Sequence, residues 1–197
     1  MLDSLDAGRL ADVERFRVML DAANRQMNLV GDSTMADFQR RHFLDSAQLL
    51  IVEPLARVWA DLGAGAGLPG VILAILLKGR DGAKVHLVES MAKRCRFLAE
   101  VAAELALPVE IHNARAEGLR LRVEVVTARA CAPLTRLLGF AKPYLDLGAK
   151  GLFLKGAEVD SEIGEARKSW RFVTRVHPSL SDPRGRILEV SELKRGG

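Results

Sequence analysis

The chain has 197 residues, of which 49% are hydrophobic and 27% charged, a composition that is typical of one folded domain and excludes a disordered protein. No stretch approaches the ~20 apolar residues of a membrane helix, and the acidic start lacks the apolar core of a signal peptide, so we expect neither a membrane protein nor a secreted one. The net charge of +4 is uneven, because residues 129–197 carry 13 Lys and Arg against 8 Asp and Glu. Such an excess suits an anionic partner such as RNA, or is simply a solvated basic surface.

The N-terminal part is predicted to be helical. Apolar residues recur every three or four positions from Leu10 onward, as expected for one buried helix face. A second helix is predicted over residues 34–51, because Thr34 and Asp37 resemble a capping box. Pro54 then ends this helix.

Strands and helices alternate through the rest of the chain, which predicts βαβ units and a mostly parallel sheet. We assign residues 1–54 to an N-terminal helical extension and residues 55–197 to one α/β core. The last two strands are joined by the short turn SDPRG, which predicts an antiparallel hairpin. The expected strands are 58–63, 84–90, 109–114, 123–130, 150–156, 172–180 and 184–193, and the expected helices of the core are 68–79, 91–105, 133–145 and 158–170.

The two cysteines, Cys95 and Cys131, form neither a disulfide framework nor a metal-ligand pattern. This usage indicates a reducing compartment, and we expect a cytoplasmic protein that needs no metal. We also expect a monomer.

Residues 61–70 read DLGAGAGLPG and place four glycines directly after the first core strand. Glycine allows positive φ and lets a ligand approach the backbone, and ligands bind open α/β sheets at the carboxyl ends of the strands. A dinucleotide fingerprint fits poorly, because Pro69 falls where the phosphate-binding helix should offer N–H groups, and no P-loop sequence follows. S-adenosylmethionine carries no phosphate and suits this loop better. The alternative is a turn that only packs a helix on a strand.

Two further positions suggest contacts to an adenosine. Glu89 ends the second core strand, where a carboxylate accepts both ribose hydroxyls; its alternative is a surface pair with Lys93. The loop after the third strand, ARAEGL, offers the backbone of Ala116 and the side chain of Glu117 to the base. An exposed turn glutamate is the alternative there.

These segments, taken in order, resemble the bacterial glucose-inhibited division protein B family, the small-subunit (16S) ribosomal RNA guanine-N7 methyltransferases. The resemblance runs from about residue 24 to residue 155 and is weak in the last 40 residues. Ala64 stands where members often have Ser, and Cys131 where many have Phe or Val. The matching segments are NLVG at 28–31, HFLDS at 42–46, DLGAGAGLPG at 61–70, LVES at 87–90, ARAEG at 114–118 and ARACAPL at 128–134.

The resemblance implies a class I S-adenosylmethionine-dependent methyltransferase fold, which is Rossmann-like with a seven-stranded, mostly parallel sheet, preceded by the helical extension. It implies S-adenosylmethionine as methyl donor and 16S rRNA or the small ribosomal subunit as partner. Glu89 at the ribose follows from the wider fold. The implied cofactor contacts are Gly63, Gly65, Leu68, Glu89, Ala116, Glu117 and Arg129.

Guanine N7 carries a lone pair and no proton, so this reaction needs no general base and depends on placement and electrostatics. We therefore expect positioning groups rather than a catalytic His or Cys. Arg129 and Lys155, which end two core strands, are the candidate catalytic residues. Arg129 suits the cofactor or the guanine edge, or else an ion pair with a carboxylate; Lys155 suits RNA or the target, or else is a solvated lysine.

Arg41 and Asp45 share a predicted helix face next to His42. These residues could form a surface pair, a buried polar cluster that joins the extension to the core, or an RNA contact; the family resemblance favours the last two. Tyr144 is a candidate for base stacking, and Cys131 is expected to be a core thiol. RNA contact is expected mainly from Arg136, Lys142, Arg167, Lys168, Arg171 and Arg175.

Three other functions compete with rRNA methylation. A class I methyltransferase acting on a small molecule or a protein would not depend on rRNA. An NAD-dependent oxidoreductase is disfavoured by the Leu68-Pro69 step, and a non-catalytic RNA-binding module by the intact glycine loop and Glu89.

Overall fold

The computed structural model describes residues 6–196, so part of the acidic start that argues against a signal peptide lies outside the described residues. Helix α1 begins after Asp6, whose side chain accepts a hydrogen bond from the Arg9 N–H, and it ends where Asn28 adopts a left-handed conformation. The helix buries Val13, Phe16 and Leu20 as the period predicts. Leu10 is 52% exposed, so the buried face begins one turn later than expected.

The second predicted helix is broken into several pieces. Thr34 does not cap it; its hydroxyl donates to the carbonyl of Gly31, which precedes α2. The break is a π-helical turn that buries His42 and Phe43. The helices of the extension are α1 (Ala7–Met27), α2 (Asp32–Ala36), the π-helical turn (Gln39–Leu44), α3 (Asp45–Ala47) and α4 (Leu49–Val52).

The predicted sheet is confirmed: seven strands lie in the order β3-β2-β1-β4-β5-β7-β6. The first five strands are parallel, and β7 runs antiparallel to both β5 and β6, which is the expected hairpin. The strands are β1 (Val58–Leu62), β2 (Lys84–Glu89), β3 (Val109–Asn113), β4 (Val125–Arg129), β5 (Lys150–Lys155), β6 (Trp170–Pro178) and β7 (Arg186–Arg195).

The helices of the core cover both faces of this sheet. The last one ends at Ala166 rather than at Trp170, because Trp170 already begins β6 and buries its ring. The helices are α5 (Gly70–Leu77), α6 (Ala92–Glu104), α7 (Leu134–Leu145) and α8 (Val159–Ala166), with a 3₁₀ turn at Ala116–Gly118.

Helix α5 is buried on all sides, which explains its continuous apolar sequence GVILAILL. One side packs on β1 and β2, and α1 and α3 of the extension cover the rest. The extension therefore shares a hydrophobic cluster with the core, while α7 and α8 form a second cluster on the opposite face. The division at residue 54 stays a prediction. Within residues 6–196, no helix has both the length and the apolar character needed to cross a membrane.

Candidate active site

The strand order reverses between β1 and β4, which places the glycine loop at the switch point where open α/β sheets bind ligands. The loop bends over β2, because the N–H groups of Gly63 and Ala64 both donate to the carbonyl of Val88, at 2.8 and 3.0 Å. Gly63, Gly65 and Gly67 all have positive φ. A Cβ at Gly63 would lie 2.8 Å from Sγ of Cys131, so this position requires glycine on two grounds.

Glu89 is buried at the end of β2 and binds the glycine loop directly. Its Oε2 accepts the Gly65 N–H at 3.1 Å, and its Oε1 accepts the Met91 N–H at 2.7 Å. The surface pair with Lys93 does not form; Arg94 is the nearby cation, at 3.7 Å. A carboxylate has about four acceptor sites, so Glu89 retains capacity for two hydroxyl groups.

The side chain of Leu68 is 4% exposed and packs in the hydrophobic cluster shared by the extension and the core, so it anchors the glycine loop to the interior.

Asp61 is a buried site residue that the sequence reasoning missed. Its Oδ2 accepts the Gly70 N–H at 2.9 Å, which ties the start of the loop to its end. Its Oδ1 has no hydrogen-bond partner among the described residues. Burial raises the pKa of Asp61 to about 7, although the Gly70 N–H and the charge of Arg129 act in the opposite direction. The available signal was an acidic residue two positions before the first glycine of the loop.

The raised pKa of Asp61 gives stability a measurable pH dependence. From its ordinary value of 3.8 up to about 7, the folded carboxyl holds a proton that the unfolded chain has released. The stability contributed by Asp61 therefore falls as pH rises through this window. Asp61→Asn removes this pH dependence. The free energy of unfolding of the variant, relative to that of the wild type, should therefore be higher at pH 8 than at pH 5 by on the order of 2 kcal/mol.

Urea unfolding of both proteins at pH 5 and pH 8 measures this difference. His42 acts in the opposite sense, because its lowered pKa makes stability rise with pH, but it is present in both proteins and cancels. An equal difference between the two proteins at both pH values would contradict the prediction.

The loop ARAEG forms a 3₁₀ turn, and Tyr144 holds it in place. The Tyr144 hydroxyl donates to the carbonyl of Ala116 at 3.1 Å, and its ring is fully buried. Burial, with a smaller effect of Glu117, raises the pKa of Tyr144 to about 12. Tyr144 is therefore a core residue that positions this loop, and its assignment to base stacking is wrong. Glu117 itself is exposed.

Tyr144→Phe should lower the free energy of unfolding by about 1 kcal/mol, because it removes one of the two hydrogen bonds that the carbonyl of Ala116 accepts, the other coming from the Leu119 N–H. If this loop contacts the adenine, the KM for S-adenosylmethionine should rise several-fold while kcat stays close to that of the wild type. Urea unfolding and initial rates at varied cofactor concentration test both parts. An unchanged KM would show that this loop does not contact the cofactor.

Arg129 ends β4 and binds the π-helical turn of the extension. Its Nη1 donates to the Arg41 carbonyl and to Nδ1 of His42, both at 3.0 Å, and lies 3.5 Å from Oδ2 of Asp45. Burial and the charge of Arg129 lower the pKa of His42 to about 4, so this ring is neutral and accepts the bond. Among the described residues, Nε and Nη2 of Arg129 have no partner.

Arg41 and Asp45 do not form the surface pair that was one of the alternatives. Arg41 pairs with Asp182 of the β6–β7 turn at 2.7 Å, and Asp45 accepts the Ser181 hydroxyl at 2.6 Å. Arg41, His42 and Asp45 thus join the extension to the core through Arg129 and through the β6–β7 turn. This arrangement agrees with the alternative of a polar cluster between the extension and the core.

Lys155 ends β5 and is not the solvated lysine of the alternative reading, since its side chain is 9% exposed. Its Nζ lies 2.7 Å from Glu162, whose carboxylate also accepts the N–H that opens α7. Lys155 therefore supports the wall of the site through a paired charge.

A cleft of about 1210 Å³ lies beside the glycine loop at the carboxyl ends of β4 and β5. Arg129, Cys131 and Lys155 line it from the core, and the extension and the β6–β7 turn close its other sides. Cys131 also contacts the glycine loop at Gly63, so the loop and the cleft share a wall. The glycine-loop residues, Glu89 and Ala116 are not part of the cleft lining.

The sequence matches the family described as rRNA small subunit methyltransferase G over residues 9–185. A ribosomal RNA small subunit methyltransferase G from Caulobacter vibrioides is 64% identical over 187 residues, which is 95% of this chain and 87% of the relative. The corresponding protein of Methylorubrum populi is 47% identical over 171 residues, 85% of this chain and 81% of the relative.

Solved structures show the same fold at low identity. A SAM-dependent methyltransferase from Aquifex aeolicus has a TM-score of 0.59 at 14% identity, covering 88% of this chain and 97% of that one. A magnesium protoporphyrin IX methyltransferase from Synechocystis with bound SAM has a TM-score of 0.57 at 15% identity, covering 96% and 99%. These likenesses confirm the class I methyltransferase fold, and the sequence matches confirm the resemblance: the chain belongs to the rRNA small subunit methyltransferase G family.

Proposed function

We propose that this protein transfers a methyl group from S-adenosylmethionine to N7 of a guanine in 16S rRNA of the small ribosomal subunit. The observation that carries the proposal is the shared wall at Cys131, which places a cleft large enough for a flipped-out nucleotide directly beside the cofactor loop. The family membership supports the same substrate class.

The residues at the glycine loop fit S-adenosylmethionine. The free acceptor sites of Glu89 suit the ribose hydroxyls, and the unpartnered Oδ1 of Asp61 suits a donor from the amino acid part or from a bridging water. The glycine at position 63 keeps the approach open, since a side chain there would meet Cys131. The backbone of Ala116 and the carboxylate of Glu117 lie on the loop assigned to the adenine.

S-adenosylmethionine supplies a methyl group on a sulfonium, and guanine N7 supplies the lone pair that accepts it. No proton has to be removed before attack, so the protein needs no general base. Its contribution is to orient the guanine and to exclude competing water. Arg129 offers Nε and Nη2 towards the guanine O6, because Nη1 is held by the extension. It does not bind N7, whose lone pair is reacting.

The electrostatics of the cleft suit RNA. Arg41 and Arg184 stand at its rim with side chains 44% and 82% exposed, although both lie near Asp182. Of the six basic residues predicted from the sequence, Lys142 and Lys168 pair with Asp146 and Glu165. The other four, Arg136, Arg167, Arg171 and Arg175, are exposed. Arg184 escaped the sequence reasoning because it lies in a turn. Its position makes it the stronger candidate for a phosphate.

Lys155 remains a candidate for a role at the target, but its pair with Glu162 argues for support of the cleft rather than a direct phosphate contact. We further propose that the protein acts in the cytoplasm, where ribosomal subunits are assembled, and as a monomer.

Methyl transfer from labelled S-adenosylmethionine tests the proposal. Small-subunit rRNA is offered naked and within subunits, both from cells that lack this protein. We expect label at one site, recovered as 7-methylguanine after digestion. Tight cofactor binding without label on any form of the RNA would favour a small-molecule or protein substrate and overturn the assignment.

A further inference from the structure

Three residues with metal-ligating side chains meet on the outer strands of the sheet, away from the cleft. His86 lies on β2, opposite Glu110 of β3, and His112 lies two residues further along β3. Alternate residues of a strand point to the same face, so all three side chains share one face. Their ligand atoms lie within 4.8 Å of one another. We propose that His86, Glu110 and His112 form a Zn²⁺-binding site.

The distances suit one ion. Nδ1 of His86 lies 3.0 Å from Nε2 of His112. Oε2 of Glu110 lies 3.7 Å from Nδ1 of His86, and its Oε1 lies 3.7 Å from Nε2 of His112. Zinc binds imidazole nitrogen at about 2.0–2.1 Å, so two nitrogens on one tetrahedral ion lie about 3.3 Å apart. Shifts of a few tenths of an ångström therefore convert the observed cluster into a ligand set.

The chemistry of the donors also suits zinc. Two imidazoles and one carboxylate are a ligand set that zinc accepts with a fourth, open position. His86 is buried, whereas Glu110 is half exposed, so the open position faces water.

Lys84 is the competing cation. Its Nζ lies 3.4 Å from Oε2 of Glu110 on the same face, with both side chains about half exposed. Such an exposed pair contributes little to stability, so a divalent ion displaces it readily. Lys84→Met should therefore strengthen zinc binding several-fold, which a purely structural role for the three ligands does not predict.

Bound zinc would link β2 to the edge strand β3 close to the cofactor side of the sheet. His112 directly precedes Asn113, whose Nδ2 donates to the carbonyls of Glu89 and Ser90. None of the three ligands lines the cleft. We therefore assign the metal a stabilising role between β2 and β3 and no part in methyl transfer.

Titration of untagged, chelator-treated protein with Zn²⁺ tests the site, followed by calorimetry and by thermal unfolding. We expect one equivalent to bind and to raise the Tm. Glu110→Gln and His112→Asn should each weaken binding at least ~10-fold and abolish the Tm shift. His177→Asn, which alters a histidine paired with Glu189 on the hairpin, should bind as the wild type does.

Cobalt(II) gives a second readout, because its visible spectrum should show nitrogen and oxygen ligands without thiolate charge transfer. Methyl transfer by the His112→Asn protein should match the wild type. The proposal would be overturned if the wild type did not bind zinc, or if Glu110→Gln and His112→Asn bound it as the wild type does. A thiolate band from Cys95 or Cys131 would also overturn it.

Discussion

Replacing Glu89 by Gln is expected to weaken the binding of S-adenosylmethionine about 10- to 100-fold, which corresponds to the loss of one hydrogen bond to a charged group. The effect has two physical sources. Both carboxylate oxygens accept backbone N–H groups, from Gly65 and Met91, and the amide of Gln would turn an NH₂ group towards one of these donors. The remaining oxygen then cannot serve the loop and both ribose hydroxyls together.

The readouts for Glu89→Gln are calorimetry with S-adenosylmethionine and initial rates with the RNA substrate. The KM for the cofactor should rise with its Kd, while kcat falls only a few-fold, because the ribose lies away from the reacting methyl group. Glu100→Gln is the matched control, since Glu100 is an exposed glutamate on α6. An unchanged cofactor affinity in Glu89→Gln would show that Glu89 does not bind the cofactor.

The sheet could be predicted because its signals are local. Strands β1, β4 and β5 are short, mainly apolar runs bounded by turn residues. The short SDPRG connection leaves only an antiparallel arrangement for the last two strands. The glycine loop is equally local, since the need for glycine at position 63 comes from a turn between adjacent elements. Such features depend on residues that are close in sequence.

The π-helical turn in the extension could not be predicted in this way. The capping-box pattern of Thr34 and Asp37 predicts one continuous helix over residues 34–51, and no residue nearby contradicts it. The turn is held by Arg129, which donates to the Arg41 carbonyl across 88 positions of sequence. Tyr144 was misassigned for a related reason, because its partner, the carbonyl of Ala116, lies 28 positions away.

Asp61 and Lys155 fall between these cases. Asp61 stands directly before the glycine loop, so its place at the site is visible in the sequence, but its burial is not. Lys155 and Glu162 are 7 residues apart, across the turn from β5 into α8, and their pairing depends on how α8 packs. The zinc ligands are the extreme case, since the two histidines are 26 positions apart and only the register of β2 and β3 brings them together.

Replacing Arg129 by Lys is expected to separate the two functions of this residue. Lysine retains a positive charge beside Asp45 and a donor for the extension, but it lacks the planar fork that leaves Nε and Nη2 free. The rate of methyl transfer should fall about 10- to 100-fold, as expected for the loss of a hydrogen bond from a charged donor. The Tm should stay close to that of the wild type.

Arg129→Ala removes both functions. It leaves Asp45 and Nδ1 of His42 without their cation, so the free energy of unfolding should also fall, by about 1–3 kcal/mol for a pair that is still about one-fifth exposed. Single-turnover rates at saturating cofactor, together with thermal unfolding, distinguish the two variants, and Arg96→Lys is the control at an exposed arginine outside the proposed site and the proposed RNA contacts. A wild-type rate in Arg129→Lys would mean that the free donors are not used and that Arg129 serves only to hold the extension. A rate loss in Arg129→Lys at unchanged stability would instead place its guanidinium at the guanine.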